Sequence, residues 1–204
     1  ERAGFKNAVV AKIQPDDAEW DAGDIRYNVV RWSSSPEPGF SGYGPSIGNP
    51  RTGELIAADI VQEFNAIKRG YNYRKIWGWT PESDPLEQWI VSLTMHEVGH
   101  TIGLRHNFSA SYLWGPKEVH DISITGDSTI ASIMDYDPIN IAPPGMKQGK
   151  YFPTVPGEYD RWAIQFGYSP ELSDEERAEL LALSILPPYT YGTDGDTMSS
   201  PGRN

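Results

Sequence analysis

Cysteine is absent from this chain of 204 residues. No disulfide staples the fold, no thiolate ligates or caps a metal, and no cysteine acts as a latency switch. A chain of this length buries roughly 70% of its unfolded surface, so it needs no staple. The absence assigns no compartment, since secreted bacterial proteins also dispense with cysteine. Long apolar runs are missing too: none reaches the ~20 residues that span a bilayer, and no signal peptide is visible. Positive charge is scarce, with 17 Lys and Arg against 28 Asp and Glu. The net charge of -11 and a pI near 4.7 argue against a general electrostatic footprint for nucleic acid. The one basic cluster, Lys68, Arg69, Arg74 and Lys75, reads as a solvated loop. An initial Met is also missing, and the pattern opens in mid-course at Glu1. The expectation is a processed or excised piece of a longer protein, whose other domains are candidate partners.

What is there divides into two halves. The first reads as strand-rich. Residues 8–13 (AVVAKI) form an apolar run closed by a Gln14-Pro15-Asp16-Asp17 turn signal. Residues 26–32 (RYNVVRW) are β-branched and aromatic, which suits a strand. Residues 42–47 and 54–61 flank a hairpin-like connection, GNPRTG. The Gly and Pro in its first arm (Gly42, Tyr43, Gly44, Pro45, Ser46, Ile47) suit an edge strand able to pair with an extended peptide. A plain surface loop is the alternative there.

The second half opens with a helix. Asp84 is placed to cap it, Pro85 to take its first position and Glu87 to complete a capping-box-like pair. Leu86, Trp89, Ile90, Leu93 and Val98 give it an apolar face, and Gly103 ends it. Residues 107–157 show little periodicity and read as a long irregular segment, a length that signals function. Two helices follow: 158–166, ending at Gly167, and one capped by Ser173 with Glu176 that runs to Leu186 before Pro187-Pro188. Residues 189–204 read as a polar tail or linker.

Histidine is sparse, and three of the four lie in HEVGHTIGLRH, residues 96–106. His96 and His100 are four apart, so a helix stacks both rings on one face, the spacing a tetrahedral metal needs from two imidazoles. Glu97 lies beside the first ligand, free to take a proton from water and pass it on. Gly103 permits a sharp turn that delivers His106 as a third ligand. Three neutral imidazoles leave a fourth position open, the mark of a catalytic zinc site, and nitrogen ligands without thiolate suit one Zn2+ ion.

The window HExxHxxGxxH resembles that of the metzincin zinc peptidases. In that superfamily a downstream turn carries a methionine beneath the metal, and Ser132-Ile133-Met134-Asp135-Tyr136 resembles it, with Met134 in that place. The resemblance implies that Tyr136 ligates the resting metal or stabilises the tetrahedral intermediate; a packing tyrosine is the alternative. Blocks ERAGFKNAV, RYNVVRW, YGPSIGNPRTGEL, TMHEVGHTIGLRHNF and SIMDYDPINIA are similar to a bacterial Met-zincin family of zinc-dependent metalloproteases. Its members are generally longer, with a strand and a helix before this point. The resemblance implies an α/β fold: a small mixed, twisted sheet over the active-site helix, then the Met-turn and C-terminal helices. Residues 1–188 would be the catalytic domain. It implies that the segment containing Pro138, Ile139, Asn140 and Ile141 walls the pocket for the residue after the cut. It also implies a peptide or protein substrate, and a secreted, periplasmic or cell-surface location is expected.

Other features carry less. His120, near Glu118 and Asp121, reads as a surface histidine before a second metal ligand. Asp194 and Asp196 lack the further ligands in register that a calcium loop needs, and no calcium site is expected. Asp135 and Asp137 either orient a ligand histidine or face water. The function expected is a zinc-dependent endopeptidase. Its rivals are a zinc hydrolase of a non-peptide amide or ester, and a silent zinc-bound binding module. Glu97 argues against the last, since a structural site needs no acid there.

Overall fold

The computed structural model describes residues 2–37, 39–64, 68, 76, 78, 85–193 and 195. It divides into two compact units, one of residues 11–103 and one of residues 1–10 with 104–204. No described helix is long and apolar enough to cross a membrane.

The described residues of the first unit form a small mixed sheet and a long helix. Its strands are β1 (Val29–Ser33), β2 (Gly42–Tyr43), β3 (Ser46–Gly48) and β4 (Leu55–Glu63). β4 is the centre: β1 runs parallel to it with Val29 opposite Asp59, while β2 and β3 run antiparallel along its other edge. The two short strands are one arm, interrupted at Gly44-Pro45. Proline has no N–H to give the ladder, but its carbonyl still accepts from Asp59 N–H at 3.3 Å. The connection to β4 is a tight turn in which Asn49 Oδ1 accepts from Arg51 N–H (3.0 Å) and Gly53 takes φ +75°, a left-handed value that favours glycine. The expected edge position of residues 42–47 is therefore the one observed, but as two short strands.

α1 (Leu86–Thr101) follows. It is tied to the sheet by Gln62, whose amide donates to Thr94 Oγ1 at 2.6 Å, and that hydroxyl donates to Ile90 carbonyl at 2.7 Å. Pro85 sits at the helix boundary rather than inside the first turn and caps nothing with its side chain. Asp84, its expected cap, lies outside the described residues, as do Arg69, Arg74 and Lys75 of the basic cluster.

Residues 8–13 correct the sequence reading. They form no strand; Val9, Val10 and Ile13 are 69%, 61% and 95% exposed. A short apolar run becomes a strand only where a neighbouring edge takes its hydrogen bonds, and no described strand pairs with this one.

In the second unit residues 104–157 are mostly irregular, as expected, with single 3-10 turns and one short helix, α2 (Ile122–Thr125). They are not loose: Ala110, Ile130, Ala131, Ser132, Ile133 and Met134 are buried. α3 (Glu158–Tyr168) packs Tyr159, Trp162 and Ala163 around Ala110 and Ala131. It begins where Gly157 lies so close to Ala131 that an added Cβ would stand 2.0 Å from its carbonyl oxygen. The helix continues through Gly167 to Tyr168 instead of stopping before it, a site where glycine costs about 1 kcal/mol without forcing an end. α4 (Asp174–Ala182) starts with the expected capping box, Glu176 N–H to Ser173 Oγ at 3.1 Å and Ser173 N–H to Glu176 Oε2 at 2.8 Å. Within the expected tail, Tyr191 stacks on Tyr159 and Tyr189 lies against Trp162, each with ring centroids 5.9 Å apart. Asp194 and Asp196 lie outside the described residues.

Candidate metal centre

α1 carries His96 and His100 one turn apart, with ring centroids 4.8 Å apart and planes at 87°. The helix closes on Gly103, whose N–H donates to His100 carbonyl at 3.0 Å with φ +91°. That left-handed residue turns the chain, as glycine allows. His106 follows three residues later. One ligand nitrogen from each of His96, His100 and His106 lies within 4.8 Å of the other two. Nitrogens sharing one tetrahedral zinc stand about 3.3 Å apart, a separation that falls inside this limit. Three imidazoles, with no Asp or Glu joining the group among the described residues, fit a zinc ion with an open position. No other described group of His, Asp or Glu is of metal-holding form, so the second-site reading of His120 gains no support.

Glu97 is 5% exposed. Desolvation pushes its carboxyl up to about 7, while the Gly44 amide, hydrogen-bonded to it, pulls the other way. A Cβ at Gly42 would stand 2.5 Å from Glu97 Oε1 and 2.9 Å from Leu93 Cδ1. One at Gly44 would stand 2.9 Å from Oε2 and 2.6 Å from the Glu97 carbonyl oxygen. These two glycines, expected as part of a substrate strand, thus also make the space in which Glu97 lies. Tyr43, between them, is 59% exposed and Ile47 is 56% exposed.

Met134 is fully buried. Its turn is held by Asp160, which accepts from Ser132 Oγ at 2.5 Å, Ile133 N–H at 2.9 Å and Gly157 N–H at 2.8 Å. Burial raises the Asp160 carboxyl to about 6 against the pull of those donors. Tyr136 is 60% exposed, its ring 4.5 Å from His106 and 5.6 Å from Phe108. Asp135 accepts from the backbone N–H groups of Ser111 (2.9 Å) and Tyr136 (2.8 Å); it is a loop clasp. Burial, then the neighbouring Asp135, raises Asp137 to about 7.

Asn140 is committed to the fold. Its Nδ2 donates to Val119 carbonyl (3.0 Å) and Lys150 carbonyl (2.8 Å), and its carbonyl accepts from Gln148 Nε2 at 2.8 Å. In this segment Pro138 is exposed and Ile139 and Ile141 are half-buried. Sequence reasoning missed Asp160 and Asn107. Asp160 carried the signal of an acid in a helix's first turn, and Asn107 that of an amide directly after the third histidine.

Neither the curated proteins nor the solved structures give a match to this chain. A family model described as Met-zincin matches residues 82–204, more than half of the chain, including α1, all three histidines and the Met134 turn. The chain belongs to the Met-zincin family.

Proposed function

We propose that this chain is a zinc-dependent endopeptidase that hydrolyses internal peptide bonds. The observation that carries the reading is the pairing of a three-histidine cluster with a buried carboxylate on the helix that bears two of the histidines. His96, His100 and His106 would hold the ion, and Glu97 lies next to the first of them. Zinc in such a site polarises a carbonyl oxygen and lowers the pKa of water to about 7. Glu97 accepts the water's proton and delivers it to the leaving amine. Gly42 and Gly44 close its site, and burial there raises the carboxyl above its ordinary range before any ion binds.

Tyr136 assists from the side of His106, its hydroxyl donating to the oxygen on which charge develops. The substrate lies extended along the β2–β3 arm, which flanks β4 on the side away from β1. Pro138, Ile139 and Ile141 border the pocket for the residue after the cut, with Asn140 bracing that segment. The protein works outside the cytoplasm, secreted, periplasmic or on the cell surface.

The test is cleavage of a quenched, mixed-sequence peptide library by the intact chain. Cleavage abolished by a chelator, restored by zinc and cut at least about 10²-fold by Glu97→Ala is the expected result. A Glu97→Ala chain that still binds zinc and cleaves as well as the parent rules the reading out. The same library on ester and non-peptide amide substrates separates the peptidase from the broader hydrolase.

A further inference from the structure

Asn107 directly follows the third histidine and is fully buried. Its backbone N–H donates to Met134 carbonyl at 3.0 Å. Its carboxamide grips the backbone of the C-terminal segment from both ends: Nδ2 donates to Thr190 carbonyl at 3.0 Å, and Oδ1 accepts from Gly192 N–H at 3.0 Å. The next residue continues the pairing, Phe108 N–H donating to Gly192 carbonyl at 2.7 Å. Phe108 is buried, and its ring lies 5.4 Å from His106 and 5.6 Å from Tyr136. The segment is held from behind by Tyr189 against Trp162 and Tyr191 stacked on Tyr159.

We infer that Asn107 is a positioning residue that fastens the backbone carrying His106 to both the Met134 turn and the C-terminal segment 190–192, making that segment a structural part of the metal centre. The physical reason is preorganisation. His106 comes from irregular backbone, beyond the helix that fixes His96 and His100. A ligand on such backbone holds its ring in place only if the neighbouring main chain is immobilised. Asn107 does this with a side chain whose donor and acceptor both end on main-chain groups, a pairing that an apolar or charged residue of similar size cannot reproduce. The inference rests on the metal-centre reading above.

The experiment is zinc affinity of the full chain, measured with Zn2+ alone by competition against a chromophoric chelator, for the parent, Asn107→Ala, Gly192→Pro and the double variant. Gly192→Pro removes the C-terminal segment's N–H from Asn107 Oδ1 and leaves the local Ser109 N–H (3.3 Å) in place; it decides the matter if Asn107→Ala does not fold. Supports behind a ligand typically carry about 10–100-fold in metal affinity, and each single variant should lose zinc by that range. The double variant should lose no more than Asn107→Ala alone, because both changes open the same clasp. Folded variants that melt lower yet bind zinc as tightly as the parent overturn the inference and leave the segment a plain structural brace. Additive losses also overturn it. A parent chain that binds no zinc sinks the metal-centre reading itself, and is thereby distinguished from a failure of the clasp alone.

Discussion

The backbone N–H of Gly44 meets the carboxylate of Glu97, and the two residues are so close that a Cβ at position 44 would stand 2.6 Å from the Glu97 carbonyl oxygen. An edge strand and the acid of the HExxH helix are thus one structural unit. The distances rank two substitutions. At Gly42 the obstacles are Glu97 Oε1 and Leu93 Cδ1, ends of side chains that can swing. At Gly44 the nearest obstacle is helix backbone. Gly44→Ala should cost about 1–3 kcal/mol of stability and Gly42→Ala less, read from urea melts of the metal-free chain. Equal costs would mean that the strand moves as a body and that the backbone contact is not limiting.

Tyr136 is 60% exposed, and its ring lies against His106 and Phe108. Tyr136→Phe keeps the ring against His106 and Phe108, so zinc affinity and melting temperature should stay near the parent's. If the hydroxyl stabilises developing charge, kcat should fall on the order of 10²-fold with KM little changed. Full kcat in Tyr136→Phe would assign the residue to packing.

Asp160 fastens the Met134 turn, and its titration gives a signed pH effect. Its carboxyl is raised from 3.8 to about 6 in the folded chain. The folded state therefore holds the proton more tightly than the unfolded state between those values. The contribution is fully present below pH 3.8 and is lost as pH rises through about 6, changing stability by roughly 3 kcal/mol. Asp160→Asn should remove this dependence when denaturant midpoints are compared from pH 4 to 7. Asp160→Ala, which strips all three donors of their partner, should cost about 2–4 kcal/mol at any pH in that range. Identical pH profiles for the parent and Asp160→Asn would refute the assignment.

Metal removal should be visible without any substrate. Zinc at a hundredfold over its Kd stabilises a folded chain by about 2.7 kcal/mol, so chelation should lower the melting temperature and zinc should restore it. His106→Ala should abolish that response, since two histidines on one helix face remain without the third ligand. A zinc-dependent shift that persists undiminished in His106→Ala would remove His106 from the ligand set.

Several elements were legible in the residue order. The HExxH helix, the Gly103 turn, the Ser173 capping box and the central strand β4 all follow from signals confined to a few neighbouring residues. The run at residues 8–13 was misleading for the converse reason: its apolar character says nothing about whether a partner edge is near. The arm 42–47 has the pattern of a single strand, yet Pro45 lacks the N–H that would keep the ladder whole.

The sequence by itself determined the pairing of His96 with His100 and the turn that follows them, because their separation and the left-handed Gly103 are consequences of helix pitch and glycine's missing side chain. It determined the family as well, since those spacings and the Met134 turn are linear patterns. Only the tertiary structure decided what surrounds them. Gly44 beneath Glu97, Asp160 under the Met134 turn and the C-terminal segment clasped by Asn107 join residues far apart along the chain. Such contacts are selected by how buried polar groups find partners once the core has closed, a requirement that no local pattern records.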